Sequence, residues 1–246
     1  MTSPQPFPRP SATQQTSPPL VSLVIPTYNE RGNIERLVQE LTEAFKRQRI
    51  TAEIIVVDDN SPDGTGQLAE ELRQRYPNLS VLHRAGKLGL ATAVTDGFAE
   101  ARGELLAVMD ADFSHPPEVL PTLVAAIADS DSDIAIGTRD TNLNSAWWRG
   151  LSSRVAIWFA RPLTPVRDPT TGLFALRRSV IEGVPLSPVG FKILLEVLVK
   201  GRYRNVHEVP FVFGDRWQGR SKYNLKEIGA YLRHCLRLYL WRLRTR

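Results

Sequence analysis

Residues 21–65 read VSLVIPTYNERGNIERLVQELTEAFKRQRITAEIIVVDDNSPDGT, and the order of patterns in that stretch decides the fold. VSLVIP has the composition of a short buried strand, and the polar turn PTYNE follows it. A helix is predicted from about Gly32 to Gln48, then a second strand, EIIVVDD, then a helix from about Gly66 to Arg75 and a third strand, SVLH. Strands that alternate with helices in this rhythm imply a parallel sheet with crossover helices, an α/β fold.

Downstream the rhythm continues. A helix over roughly Gly89 to Arg102 precedes Leu105 to Pro117, LLAVMDADFSHPP, where an apolar strand delivers Asp110 and Asp112 to its end. Asp133 to Gly137 offers a further short strand. Three strand ends thus carry polar or acidic turns, and in an open α/β sheet such ends converge on one ligand crevice. Carboxylates spaced as Asp110 and Asp112 suit a hard divalent ion such as magnesium or manganese, shared with nucleotide phosphates. Asn29, Asp63 and Thr65 equally suit bonding to backbone amides at helix starts. No G-x-G-x-x-G opens a helix and no Walker lysine motif is present, which disfavours a dinucleotide dehydrogenase or an ATPase. His115 is followed by Pro116 and Pro117, so a packing or capping role is predicted for it rather than metal ligation.

Upstream, residues 1–20 hold Pro4, Pro6, Pro8, Pro10, Pro18 and Pro19 among Ser, Thr and Gln and are predicted to form a disordered tail without a secretory signal. Residues 21–224 form the α/β domain in this reading, and residues 225–246 a basic amphipathic helix. The 246 residues, 42% of them hydrophobic, suffice for one substantial core. The single cysteine, Cys235, excludes an internal disulfide framework, reads as a small apolar filler and leaves a reducing cytosol as the default compartment.

Six motifs in order carry a family resemblance: IPTYNERGNI, VVDDNSPDGT, KLGLATAVTDGF, MDADFSHPP, DPTTG and DRWQGRSK. The chain from Val21 to about Lys226 resembles the family 2 glycosyltransferases of the dolichol-phosphate mannosyltransferase type. The resemblance implies a GT-A nucleotide-sugar-binding domain that transfers mannose from GDP-mannose to a polyprenyl phosphate with inversion at the sugar carbon. It also implies roles for particular residues. Pro26, Tyr28 and Glu30 would line the nucleotide pocket, Val57 and Asp59 would contact base or ribose, and Asp110 with Ala111 would lie against nucleotide and sugar. Asp112 would be the principal metal ligand, with Asp110 and Ser114 beside it. Arg139, Lys192, Arg216 and Lys222 would fall at phosphate positions.

Two positions depart from commoner family patterns. Ser114 stands where some relatives carry glutamine, so water could intervene between it and the ion. In DPTTGLF, Thr171 and Leu173 replace the serine and aromatic residue of many relatives, while Asp168 and Thr170 match. A UDP-sugar donor such as UDP-glucose is the alternative within the same chemistry, and a membrane-bound scaffold with a degenerate site is the alternative outside it.

Two stretches suit a lipid surface. Between Ala146 and Leu163, Trp147, Trp148, Leu151, Val155, Trp158, Phe159 and Pro162 alternate with Arg149, Arg154 and Arg161. From Leu225 onward, Leu225, Ile228, Leu232, Leu236 and Tyr239 are read as one stripe with Arg233, Arg237, Arg242, Arg244 and Arg246 around or beyond it. No run of about 18 uncharged apolar residues occurs, so peripheral attachment to the membrane is expected. Nucleic acid is not expected as a partner, because no nucleic-acid motif accompanies the arginines.

Overall fold

The computed structural model describes residues 19–139, 158–187, 190, 192–212 and 225–245. In chain order the elements are β1 Val21–Thr27, α1 Arg31–Arg47, β2 Ala52–Asp58, α2 Thr65–Leu72, β3 Leu79–His83, α3 Leu90–Glu100 and β4 Leu105–Val108. There follow α4 Val119–Ala128, β5 Ile134–Arg139, β6 Phe174–Arg177, α5 Ile193–Lys200, β7 Val206–Phe211 and α6 Leu225–Arg244. The strands form one sheet in the order β3-β2-β1-β4-β6-β5-β7. Every pairing is parallel except those of β6, which runs against both β4 and β5.

The predicted alternation of β1 to β5 with α1 to α4 is observed, and the period of two along each strand explains the layers. In β1, Val21, Leu23 and Ile25 face a core shared with Ile34, Leu37 and Leu41 of α1, Leu72 of α2 and Leu120 and Leu123 of α4. Val24 faces the other way, toward Val94 and Phe98 of α3 and Ile193 and Val197 of α5. Each such fully buried side chain contributes about 1.5–3 kcal/mol relative to exposure, so the two apolar faces fix the sheet between two helix layers. Gly97 lets α3 lie directly on the sheet, since a Cβ there would come within 2.5 Å of Val24 Cγ1.

At the amino-terminal edge of the sheet, Ser22, Glu53 and Arg102 tie β1, β2 and the α3–β4 turn together. Glu53 accepts from Ser22 Oγ at 2.5 Å, from the Arg102 amide at 2.7 Å and from its guanidinium at 2.6 and 2.8 Å. Burial opposes ionisation of Glu53, but these bonds outweigh it and hold the carboxyl below its ordinary value.

α6 packs on the domain through Tyr231, Cys235 and Leu238, which meet Ala160, Leu163 and Leu195 of α5. Tyr239 Oη donates to the Phe159 carbonyl at 2.9 Å. The stripe read from the sequence therefore divides: Tyr239 lies on the packed side, whereas Leu232 and Leu236 face outward. The stripe failed because Tyr231, His234 and Cys235, less apolar on paper, take the buried face and rotate the leucines away from it.

Candidate active site

β1 lies between β2 and β4, and the loops leaving the carboxyl ends of these three strands surround the crevice where a doubly wound sheet binds ligands. The first two loops are cross-tied. The Glu30 amide donates to Thr65 Oγ1 at 2.9 Å, the Asn29 amide to Ser61 Oγ at 3.0 Å, and the Arg31 amide to Asp63 Oδ2 at 3.1 Å. Asp58 accepts from the amide and hydroxyl of Ser61, and Asp63 from the amide and hydroxyl of Thr65. Asn29 turns the chain with a φ of 58°, which asparagine tolerates better than most residues. Thr65 and Asn29 thus lock one loop to another, while Glu30 opens α1, its side chain accepting from Asn33 Nδ2 at 2.8 Å.

Asp59 is buried and holds the loop between β3 and α3. Its carboxylate accepts from Arg84 Nη1 at 2.7 Å, the Leu88 amide at 2.8 Å and the Gly89 amide at 2.8 Å. Arg84 is equally buried and also donates to Thr92 Oγ1 and the Gly89 carbonyl. The loop so held carries Lys87, whose Nζ sits 3.8 Å from the centroid of the Tyr28 ring. Pro26 and Val57 are register partners in β1 and β2, both buried in the sheet below this ring.

The β4 ladder stops at Val108, so Asp110 and Asp112 project from the turn beyond it. Asp110 is about one-third exposed and makes no hydrogen bond among the described residues; His115 Nδ1 lies 3.9 Å away. Gly172 makes room for it, because a Cβ at that position would fall 2.3 Å from Asp110 Oδ2. Asp112 accepts from the Ser114 amide at 3.1 Å, in a turn sharpened by Phe113 at φ 60°. Ser114 Oγ is buried and without a hydrogen-bond partner. Two carboxylates and an unsatisfied hydroxyl around one tight turn fit a hard divalent ion, although no group of three or more His, Cys, Asp or Glu among the described residues forms a complete cage. Such a site needs further oxygens from a ligand, as nucleotide phosphates supply. His115 is buried against Phe211, with ring centroids 5.4 Å apart, and burial pushes its pKa down despite Asp110 and Asp112. That is the packing role predicted for it.

On the far side of the turn a basic group faces these carboxylates. Arg139, the last residue of β5, bonds Asp168 through Nε at 2.6 Å and Nη2 at 3.0 Å, a bidentate pair. Asp168 also accepts from the amide and hydroxyl of Thr170. Burial works against its ionisation, but Arg139 and Thr170 prevail and keep it below the ordinary range. Lys192 is half-buried at the start of α5 and donates to the Thr170 carbonyl at 2.5 Å. Burial lowers its pKa to about 8, partly offset by Asp110 and Asp168. Ala111 is buried between the two aspartates in sequence. Arg216 and Lys222 lie outside the described residues, as do Trp147, Trp148, Leu151 and Val155.

Pro26, Tyr28, Glu30, Val57, Asp59, Asp110, Ala111 and Asp112 therefore gather at three neighbouring strand ends, while Lys192 interacts electrostatically with Asp110, Arg139 and Asp168, and His115 with Asp110, Asp112, Arg139 and Asp168. Arg84, Lys87 and Gly172 have structural parts in the site that the sequence reading did not assign. For Gly172 the signal was available in DPTTG, a glycine beside polar residues in an otherwise buried run.

A mostly parallel sheet with acidic turns at its switch point and cations opposite them is a nucleotide-sugar-binding domain of the GT-A type. Residues 22–183 match the model of glycosyl transferase family 2, and the chain belongs to that family of enzymes. It is 49% identical over 229 residues to the dolichol-phosphate mannosyltransferase of Pyrococcus furiosus, covering 90% of this chain and 64% of that relative, so the chain spans under two thirds of that relative's length. It is 36% identical to the dolichol-phosphate mannosyltransferase of Mycosarcoma maydis, covering 96% of this chain and 84% of the relative. The namesake from Saccharomyces cerevisiae is 35% identical, with coverage of 90% and 87%. Among solved structures, glucosyl-3-phosphoglycerate synthase from Mycobacterium tuberculosis, with Mn2+, UDP and glucosyl-3-phosphoglycerate, aligns with a TM-score of 0.66 at 21% identity, covering 91% of this chain and 80% of that one. Mannosyl-3-phosphoglycerate synthase from Rubrobacter xylanophilus aligns with a TM-score of 0.67 at 18% identity, covering 92% and 74%. At these identities the likeness is one of fold.

Proposed function

We propose that this protein transfers mannose, with inversion, from GDP-mannose to the phosphate of a membrane polyprenol. The observation that carries the reading is the Asp110 carboxylate, unbonded and open to the crevice beside Asp112, in a chain 35% to 49% identical to dolichol-phosphate mannosyltransferases. Asp112, with Asp110 and the Ser114 hydroxyl, would hold magnesium or manganese together with the donor diphosphate. The bound ion would supply Lewis-acid stabilisation of the departing nucleoside diphosphate.

The residues then divide the work by chemistry. The acceptor is a phosphate already anionic at neutral pH, so its attack on the sugar carbon needs no protein base. This agrees with a site whose one histidine, His115, is buried and held in its neutral form. Asp168 fixes the plane of the Arg139 guanidinium before substrate arrives, and preorganised cations stabilise developing charge without reorganising at the moment of reaction. Lys192 adds a second cation, and Arg216 and Lys222 complete the phosphate contacts in this proposal. Tyr28, with Lys87 over its ring, offers a stacking surface for the base, and the clasp on Asp59 positions it.

Placement at the membrane surface is part of the proposal. No helix among the described residues is long and apolar enough to cross a membrane. Leu232, Leu236, Leu240 and Leu243 are exposed along α6, the last at 74%, with the exposed Arg233 and Arg237 beside them, and Trp158 is 69% exposed. Such a leucine stripe flanked by arginine suits the cytoplasmic lipid interface. The test is transfer of labelled sugar into organic extract from GDP-mannose or UDP-glucose, with polyprenyl phosphate and manganese or magnesium. Mannosyl lipid supports the proposal; label from UDP-glucose alone replaces the donor, and no lipid label from either removes the polyprenyl acceptor.

A further inference from the structure

Away from the crevice, α5 and α6 enclose a cavity of about 240 Å³ lined by Glu196, Lys200, His234, Arg237, Trp241 and Arg244 together with two leucines. The cavity lies along the carboxyl-terminal part of α5, and none of its lining residues belongs to the catalytic crevice. Its floor is polar and incompletely satisfied. Glu196 is 1% exposed; its Oε1 accepts from Lys200 Nζ at 2.5 Å and from the Ser187 amide at 2.9 Å, yet Oε2 has no hydrogen-bond partner among the described residues. His234 is likewise 1% exposed, and neither ring nitrogen has a hydrogen-bond partner among the described residues. Buried polar groups are costly to leave unpaired, so the geometry calls for a ligand that can donate and accept.

The rim determines the ligand's charge. Lys200 is already matched to Glu196, which leaves Arg237 and Arg244 as the surplus cations, and neither makes a salt bridge among the described residues. They stand two helical turns apart on the same side of α6, with Trp241 between them. Leu240 lines the cavity and is also part of the exposed leucine stripe, so the opening adjoins the surface we have assigned to the membrane.

We infer that this cavity binds a polyol phosphate, the glycerol- or inositol-bearing head group of an anionic phospholipid. The phosphodiester sits between Arg237 and Arg244, a head-group hydroxyl donates to Glu196 Oε2, and His234 meets another hydroxyl. The volume fits: a single water takes about 30 Å³, and this space is several times larger. The inference rests on the membrane placement proposed above, and it adds a chemical selectivity that an amphipathic helix alone does not have.

The test uses the full chain and phosphatidylcholine vesicles containing equal fractions of either phosphatidylglycerol or phosphatidylserine, lipids of equal net charge of which only the first carries a polyol. Co-sedimentation is expected to favour phosphatidylglycerol about ten-fold. His234→Phe, which leaves the net charge unaltered, is expected to abolish the preference while phosphatidylserine binding persists. Arg237→Gln, at an exposed position, is expected to reduce the preference and Arg233→Gln, outside the cavity, to leave it intact; this pair serves if His234→Phe does not fold. Equal binding of the two lipids, or a preference unchanged in the cavity variants, overturns the inference but leaves the membrane placement standing. Binding to no vesicle overturns both. Perturbation of Trp241 fluorescence by millimolar glycerol 3-phosphate without lipid selectivity assigns the same chemistry to a soluble ligand and overturns the lipid source.

Discussion

Two acidic turns flank the β1 loop at the carboxyl ends of the sheet, and they use the same residue type in opposite ways. After β2, Asp58, Asp59 and Asp63 are consumed by the scaffold, each accepting from two or more amide, hydroxyl or guanidinium groups. After β4, Asp110 accepts no hydrogen bond among the described residues, and Ser114 Oγ is left unpaired next to Asp112. Backbone donors aimed at a carboxylate make it a structural acceptor; a turn that withholds them leaves it for a ligand. The difference predicts which aspartates fold the protein and which ones react.

The largest effect is expected at the most committed pair. Asp59 and Arg84 have side chains only 6% and 5% exposed, and removing one partner of a buried ion pair typically costs about 3–5 kcal/mol. Arg84→Met should lower the melting temperature sharply in calorimetry, because the buried Asp59 carboxylate loses its guanidinium partner. A variant as stable as the parent would show that the two amides of Leu88 and Gly89 suffice, and would weaken the contrast. Asp112→Ala should do the reverse. Transfer is expected to fall by about 10²–10³-fold, the scale of losing one preorganised electrostatic contact, with thermal stability preserved. Near-normal transfer by that variant would remove the metal role from the second turn.

Gly172→Ala sharpens the same contrast from outside the turn. The new Cβ would overlap Asp110 Oδ2, forcing the carboxylate out of its seat while adding no charge. Manganese affinity, read by electron paramagnetic resonance of the free ion, should weaken about 10–100-fold, the range seen for residues that orient metal ligands. Unchanged affinity would mean that Asp110 is not a ligand and that Asp112 acts without it.

Much of the fold was readable in the sequence because β1 to β5 carry apolar runs of ordinary length, separated by helices with apolar faces. β6 and β7 were not. FALR is only four residues long and runs antiparallel, and VHEVPF at the sheet edge is half exposed and mixed in character, so neither has the signature of a buried parallel strand. In the site, Asp110 and Asp112 stood out because the D-x-D pair closes an apolar run inside the MDADFSHPP motif. Arg84 and Lys87 did not, since a basic residue after a strand is usually a solvated charge; only the three-dimensional return of the β3–α3 loop to Asp59 and Tyr28 gives them work. The division of the α6 stripe has the same origin: burial of His234 beside Glu196 is a tertiary fact that no helical periodicity encodes.

The smallest expected effect concerns another committed carboxylate, Glu53, at the opposite edge of the sheet from the crevice. Its folded-state pKa lies below the ordinary 4.5, because bonds from Ser22 and Arg102 outweigh the cost of burial. A depressed carboxyl contributes stability that is fully present above the unfolded value and disappears as pH falls through the folded one. Glu53→Gln should therefore lower the melting temperature at pH 7, by an amount equivalent to about 1 kcal/mol, and progressively less below pH 4.5, until the two proteins converge once Glu53 is itself protonated. If the Glu53 difference instead stayed constant across the acid range, the bonds at the sheet edge would be acting through shape alone, and hydrogen-bond commitment would no longer distinguish the structural carboxylates from the reactive ones.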